Sequence, residues 1–222
     1  MTDGFWWLLL WGTIAGLDLV SAGQVMVGRP LVAGTLAGVL AGDPAAGAMV
    51  GVTLELFALE LLPVGGARYP DYGPAAVAGA ATAAGVPGVL GLGPAVAVAL
   101  VVGYLGERTV QIVRRGNSAD ARRNRVGLDA GDPACLRRVH LRGMLRDAIR
   151  ALLVTVFWLA LAEVVRRWLP LDLRGAVLVG TVAVGAAFAV AAAGALRLVG
   201  RGGGRAWLAA GLVIGAAWVM AR

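Results

Sequence analysis

Apolar residues run along this chain in long blocks, and a bilayer core of about 30 Å needs about 20 of them in a helix to cross it. Phe5 to Val20 is a first block, opened by Phe5, Trp6, Trp7 and Trp11 where an interfacial aromatic belt belongs. Val20-Ser21-Ala22 has the small residues of a signal-peptide cleavage site. A positive n-region is missing, however, and Asp3 stands in its place, so the block reads as a span. Pro30 to Leu62 is too long for one ordinary span and is interrupted by Gly42-Asp43-Pro44. Asp43 is a good N-cap and Pro44 suits a first helical position, so one helix is expected to end near Ala41 and another to begin at Pro44. The first of these, about 12 residues, reaches only about 18 Å at 1.5 Å per residue. The pattern predicts a re-entrant hairpin or a broken helix, whose irregular backbone is tolerated at membrane depth only inside protein or beside an aqueous cavity.

Leu62 to Gly73 is polar and rich in turn residues, and Pro74 then opens an Ala/Gly-rich segment that reaches about Ala84. A further break at Gly85-Val86-Pro87-Gly88 precedes a full-length span from about Gly93 to Val113. Short apolar segments interrupted by Gly and Pro point to a transporter site, although both residues are also frequent in ordinary membrane helices. Spans follow at about Leu145 to Trp168, Leu173 to Val199 and Ala206 to Met220. The predicted fold class is all-α, a polytopic helical membrane protein with re-entrant or broken helices. Its expected parts are an N-terminal membrane region (1–113), a basic cytoplasmic loop (114–146) and C-terminal membrane helices (147–222).

Composition agrees: 59% of the residues are hydrophobic and 15% charged, which excludes an ordinary soluble domain. The formal net charge of +7 is unevenly spread. Met1 to Val113 holds three Arg and seven acids, whereas the remainder holds seventeen Arg and six acids. The Arg-rich stretch from Arg114 to Arg146 is cytoplasmic by the positive-inside rule, and a basic loop also suits an acidic partner or anionic lipid headgroups. Arg166, Arg167 and Arg174 fall on the opposite side, in mild conflict with that rule. All twenty basic residues are Arg, which together with the Ala and Gly excess reads as biased genome composition. One cysteine, Cys135, and one histidine, His140, leave no intrachain disulfide, Cys/His metal site or Ser-His-Asp triad to build. The Arg runs flank apolar spans without interleaved aromatics, so nucleic-acid binding is not expected.

Ionisable residues inside membrane segments are costly and usually face a protein interior or an aqueous cavity. The N-terminal half carries Asp18, Gln24, Arg29, Asp43, Glu55 and Glu60, followed by Arg68, Tyr69, Asp71 and Tyr72. Arg29 and Arg68 are the only basic residues before Arg108, so at most two of these acids find a partner within the region. Glu55 and Glu60, five apart on a helix, point about 140° from each other and serve different surfaces. An ionised carboxylate accepts several charge-assisted hydrogen bonds, which suits sugar hydroxyls, but the same chemistry suits a proton, a cation or a structural salt bridge.

The run Gln24-Val-Met-Val-Gly-Arg29-Pro30-Leu-Val-Ala-Gly-Thr-Leu-Ala-Gly-Val-Leu-Ala-Gly42-Asp43, then Gly51-Val-Thr53-Leu54-Glu55-Leu56 and Pro70-Asp71, resembles the membrane subunit IIC of the mannose/fructose/sorbose family of the bacterial phosphotransferase system (PTS). The match covers about residues 14 to 85, and Val139-His140-Leu-Arg-Gly-Met is similar to the segment after that family's central loop. The resemblance implies a multi-pass subunit of the bacterial cytoplasmic (inner) membrane, built around re-entrant hairpins. Such a subunit pairs with a IID membrane subunit, binds a hexose and hands it to cytoplasmic IIB and IIA subunits for phosphorylation. It is not itself phosphorylated, and no cofactor or metal is implied. Carried over by motif, Glu55 and Asp71 are the leading sugar contacts, with Gln24 and Asp18 next, while Arg29, Pro30, Asp43 and Pro44 shape the hairpin. The chain has Pro63-Val64-Gly65 where many members have Asn-Ile-Gly, and it is shorter than usual at its C-terminal end. Those departures leave open a non-transporting membrane scaffold or sensor with the same fold. The buried acids leave open an ion-coupled carrier.

Overall fold

The computed structural model describes residues 2–60, 67–168, 172–198 and 204–220. Their secondary structure is helical throughout: α1 (Thr2–Asp18), α2 (Pro30–Leu40), α3 (Pro44–Ala58), α4 (Tyr72–Ala83), α5 (Val89–Arg123), α6 (Arg125–Asp129), α7 (Pro133–Trp168), α8 (Leu173–Leu198) and α9 (Gly204–Met220). Three of these, α5, α7 and α8, are long and apolar enough to cross a membrane. The helix that opens at Val89 does not stop near Val113 but continues to Arg123, and the return begins at Pro133, so most of the expected basic loop is helix.

The break expected at Gly42-Asp43-Pro44 is present, and its residues account for it. Gly42 takes φ +82°, a conformation that disfavours any side chain. Asp43 accepts from the Ala46 backbone N–H at 3.0 Å as N-cap of α3, and Pro44 opens that helix. The other Asp43 oxygen lies 3.3 Å from the Gly85 N–H, which ties the hairpin tip to the turn between α4 and α5. The legs α2 and α3 meet backbone to backbone. A Cβ placed on Gly38 would stand 2.6 Å from the Asp43 carbonyl and 2.8 Å from Gly47 Cα. Both legs are too short to span alone, being 11 and 15 residues, so the pair is a re-entrant hairpin.

Helix α4 forms the centre. Nearly every one of its residues is buried, and small Ala and Gly side chains let α1, α2, α3, α5 and α7 pack around it. Because α4 has only 12 residues, it is too short to cross a bilayer alone, and the non-helical residues 67–71 before it run into the bundle beside α5. Such backbone is tolerated there when protein surrounds it, and Tyr69, Pro70 and Asp71 are indeed buried. Helix α8 packs on α5 and α3, and α9 lies at the periphery with Trp207, Val213, Ile214 and Trp218 exposed. Exposed apolar faces of this kind mark contact with a membrane or a partner subunit.

Candidate acidic site at the chain breaks

The C-terminal end of α1, the N-terminal end of α2, the C-terminal end of α3 and the N-terminal end of α4 converge beside the middle of α5 and α7. Asp18 closes α1 and is buried. Its two oxygens accept from the backbone N–H groups of Val25 and Gly28, at 2.8 and 2.9 Å. These bonds hold a tight loop in which Gln24 and Met26 take the left-handed conformation, at φ +52° and +68°, an arrangement that persists only where its surroundings enforce it. Gln24 itself is exposed, and its amide turns back to the Val20 carbonyl at 3.2 Å. The loop therefore places Gln24 away from the buried carboxylates.

Glu55 forms an ion pair with Arg29, and its second oxygen accepts from the Leu31 N–H at 3.2 Å. It thus serves the hairpin twice, neutralising the residue before Pro30 and satisfying a free donor in the first turn of α2. The pair is partly exposed, Arg29 at 32% and Glu55 at 19% of the side chain.

Asp71 has a different environment. It is 1% exposed, and its backbone N–H donates to the Gly103 carbonyl at 2.9 Å. Oδ2 pairs with Arg150 at 2.5 Å, while Oδ1 is buried with no hydrogen-bond partner among the described residues. Arg150 also binds Asp147 at 2.6 Å and donates to the Gly16 carbonyl at 3.1 Å, and Asp147 accepts from the Ser21 hydroxyl. One guanidinium thus faces two carboxylates in a buried cluster joining α1, α4 and α7, and one acceptor is unfilled. This accounts for Asp71 standing before α4 without capping it: its carboxylate is engaged elsewhere.

Within the first half Arg29 pairs with Glu55, inside the limit of two that Arg29 and Arg68 set, and the other acids are satisfied in other ways. Asp71 is neutralised from the C-terminal half, and Asp18 is satisfied by backbone amides with no basic partner among the described residues. Ser21, Asp147 and Arg150 were not singled out in the sequence, although Asp147 and Arg150 stood three apart inside a predicted span and so carried a readable signal. Arg114 is a further addition, with its guanidinium over the Tyr69 ring at 5.5 Å and donating to the Ala67 carbonyl at 2.8 Å, which anchors the segment before α4. Pro63-Val64-Gly65 lies outside the described residues.

Between these parts is a cavity of about 40 Å³ bordered by Gly28, Arg29, Pro30, Ala58, Tyr69 and Tyr72. That holds about one water, against the roughly 300 Å³ or more of a ligand pocket, so the described residues leave no room there for a sugar. A larger cavity of about 420 Å³ opens at the other end of the bundle, among Phe5, Leu8, Leu40, Ala81 and Leu159, with Glu163 at its rim.

Comparison with known proteins agrees with this architecture. The family model "PTS system sorbose-specific iic component" matches residues 5–211. Over 150 residues the chain is 32% identical to the fructose permease IIC component of Bacillus subtilis (strain 168), covering 67% of this chain and 54% of that one. Over 156 residues it is 31% identical to the PTS system sorbose-specific EIIC component of Klebsiella pneumoniae, covering 68% and 57%. The chain thus spans about half the length of the curated relatives it matches. Among solved structures, one titled "Structure of membrane protein" aligns with a TM-score of 0.77 and one of the mannose transporter ManYZ with microcin E492 with 0.63. Each is 23% identical and covers 97% of this chain and 87% of the other. The fold is therefore shared with these proteins, and the chain belongs to the PTS sorbose-specific IIC family, as a multi-pass protein of the bacterial inner membrane.

Proposed function

We propose that the chain is the sugar-translocating IIC subunit of a PTS permease, binding a hexose whose uptake is coupled to phosphorylation by a cytoplasmic IIB partner, and working with a IID membrane subunit. The observation that carries the reading is the meeting of two chain breaks, between α1 and α2 and before α4, around Asp18, Arg29, Glu55 and Asp71. Irregular backbone and ionisable groups inside a membrane bundle are tolerated where protein or an aqueous cavity surrounds them, and they commonly mark a pathway. Glu55 is the leading sugar contact, because hydroxyl groups can replace Arg29, 32% exposed, as its partner. Asp71 is the second, through its unfilled Oδ1. Asp18 shapes the rim, and Gln24 reaches substrate only if its loop rearranges. With the intervening cavity at about 40 Å³, a hexose enters only after the hairpin and the segment before α4 separate.

The test is phosphorylation-coupled hexose uptake in vesicles carrying this chain with its IID and IIB partners. Glu55→Gln and Asp71→Asn should each abolish uptake while the purified subunit stays folded. Normal uptake in both variants would overturn the site. A wild-type chain that assembles with its partners but accumulates no sugar phosphate would instead favour the scaffold reading. Uptake driven by an imposed ion gradient without a phosphoryl donor would favour the ion-coupled carrier.

A further inference from the structure

The Arg-rich stretch 114–146 forms a projecting arm. Helix α5 runs unbroken to Arg123, and at 1.5 Å per residue the ten residues after Val113 carry it about 15 Å beyond its apolar part. The chain returns through α6 and the first part of α7. The two sides are fastened together: Arg146 pairs with Asp120 and donates to Asn117 Oδ1 at 2.9 Å, and Cys135 is buried against Gly127. These contacts hold the two sides of the arm together as one unit.

The arm carries nine Arg and three Asp. Its acids are all engaged: Asp120 with Arg146, Asp129 with Arg125 at 3.1 Å, and Asp132 with the Ala134 N–H at 2.9 Å. Arg115, Arg122, Arg123, Arg137, Arg138 and Arg142 are exposed; Arg123 and Arg142 lie close enough to Asp120 to act on its charge, and the other four have no acidic partner among the described residues. Beside them, Val126 is 86% and Leu136 62% exposed. A topology signal explains charges that flank the spans, but it does not explain aliphatic side chains held in water at the tip. Arginines around an apolar centre are instead the composition of a protein interface. Anionic lipid is the weaker candidate, since a headgroup layer extends only about 5–7 Å beyond the hydrocarbon and charges further off are screened over about 8 Å.

We propose that the arm tip, formed by Arg122, Arg123, Val126, Leu136, Arg137 and Arg138, docks an acidic face of a soluble cytoplasmic protein, the IIB phosphoryl donor. The identity of that partner rests on the transport reading above. Charge steering at the tip brings the donor to the membrane, and Val126 and Leu136 supply the apolar contact once it arrives.

The chain in nanodiscs of neutral lipid, with purified IIB as probe, tests this by binding kinetics at rising salt. Wild type should bind, with an association rate that falls steeply with ionic strength. Reversing Arg122, Arg123, Arg137 and Arg138 to Glu should lower that rate about 10- to 100-fold at low salt, with Arg114, Arg115, Arg142 and Arg146 left in place to hold topology. Val126→Ser with Leu136→Ser should speed dissociation instead, and unchanged thermal unfolding in both variants would exclude misfolding. The proposal is overturned if IIB does not bind wild type, if it binds the reversed variant equally well, or if binding requires anionic lipid. Charge-dependent IIB binding without phosphorylation-coupled uptake would overturn the transport reading alone.

Discussion

Replacing Arg150 with Met keeps the unbranched apolar stem but removes the guanidinium and strands two carboxylates, Asp71 at 1% and Asp147 at 4% side-chain exposure. Removing one partner of a buried ion pair costs about 3–5 kcal/mol, because the remaining charge has no compensation. Here the loss reaches further, since Arg150 also donates to the Gly16 carbonyl and lies 3.4 Å from the Thr109 hydroxyl. The substitution should therefore fall at or above the upper end of that range, a change of about a thousandfold or more in the folding equilibrium at 1.4 kcal/mol per tenfold. Neutralising the stranded acids should reverse most of it, so Asp71→Asn and Asp147→Asn in the Arg150→Met background should recover about 2–4 kcal/mol. The assay is reversible unfolding in mild detergent or bicelles, followed by tryptophan fluorescence, for wild type, the single variant and the triple variant. If the single variant is no less stable than the triple one, the cluster does not hold a stranded charge and the reasoning fails.

Two further outcomes test the hairpin. Gly38→Ala should destabilise by about 1–3 kcal/mol through overpacking, because its Cβ would meet backbone of Asp43 and Gly47 that cannot move aside. Gly185→Ala, where nothing lies within 4 Å, should be neutral or stabilising, and equal losses at both sites by thermal unfolding would contradict the close packing. Asp43→Ala removes an N-cap and the link to Gly85, so it should cost about 1 kcal/mol and raise amide exchange in both turns. Unchanged exchange at residues 44–46 would count against the cap.

Much of the local architecture was readable from single residues. Gly42, Asp43 and Pro44 each have a conformational preference strong enough to dictate a break by itself, and the helices end and begin where those preferences place them. The helical conformation of the basic stretch was not legible, because charge density suggests solvent exposure but not conformation, and Gly116, Asn117, Ser118 and Asp120 are poor helix formers. The pairing of Arg146 with Asp120 adds a tie between α5 and α7 that no local pattern announces.

The acids show the boundary between the two kinds of information. From the sequence alone came the membrane class, the broken helices, the family motifs and the excess of carboxylates over nearby bases. Each is a property of composition or of neighbours along the chain. The partner of each acid was decided by the tertiary structure, which brings Arg150 to Asp71 across 79 positions and spends Asp18 on backbone amides. Burial requires every charge to find some partner, but which one it finds depends on how the helices pack, and that is not written in any local stretch.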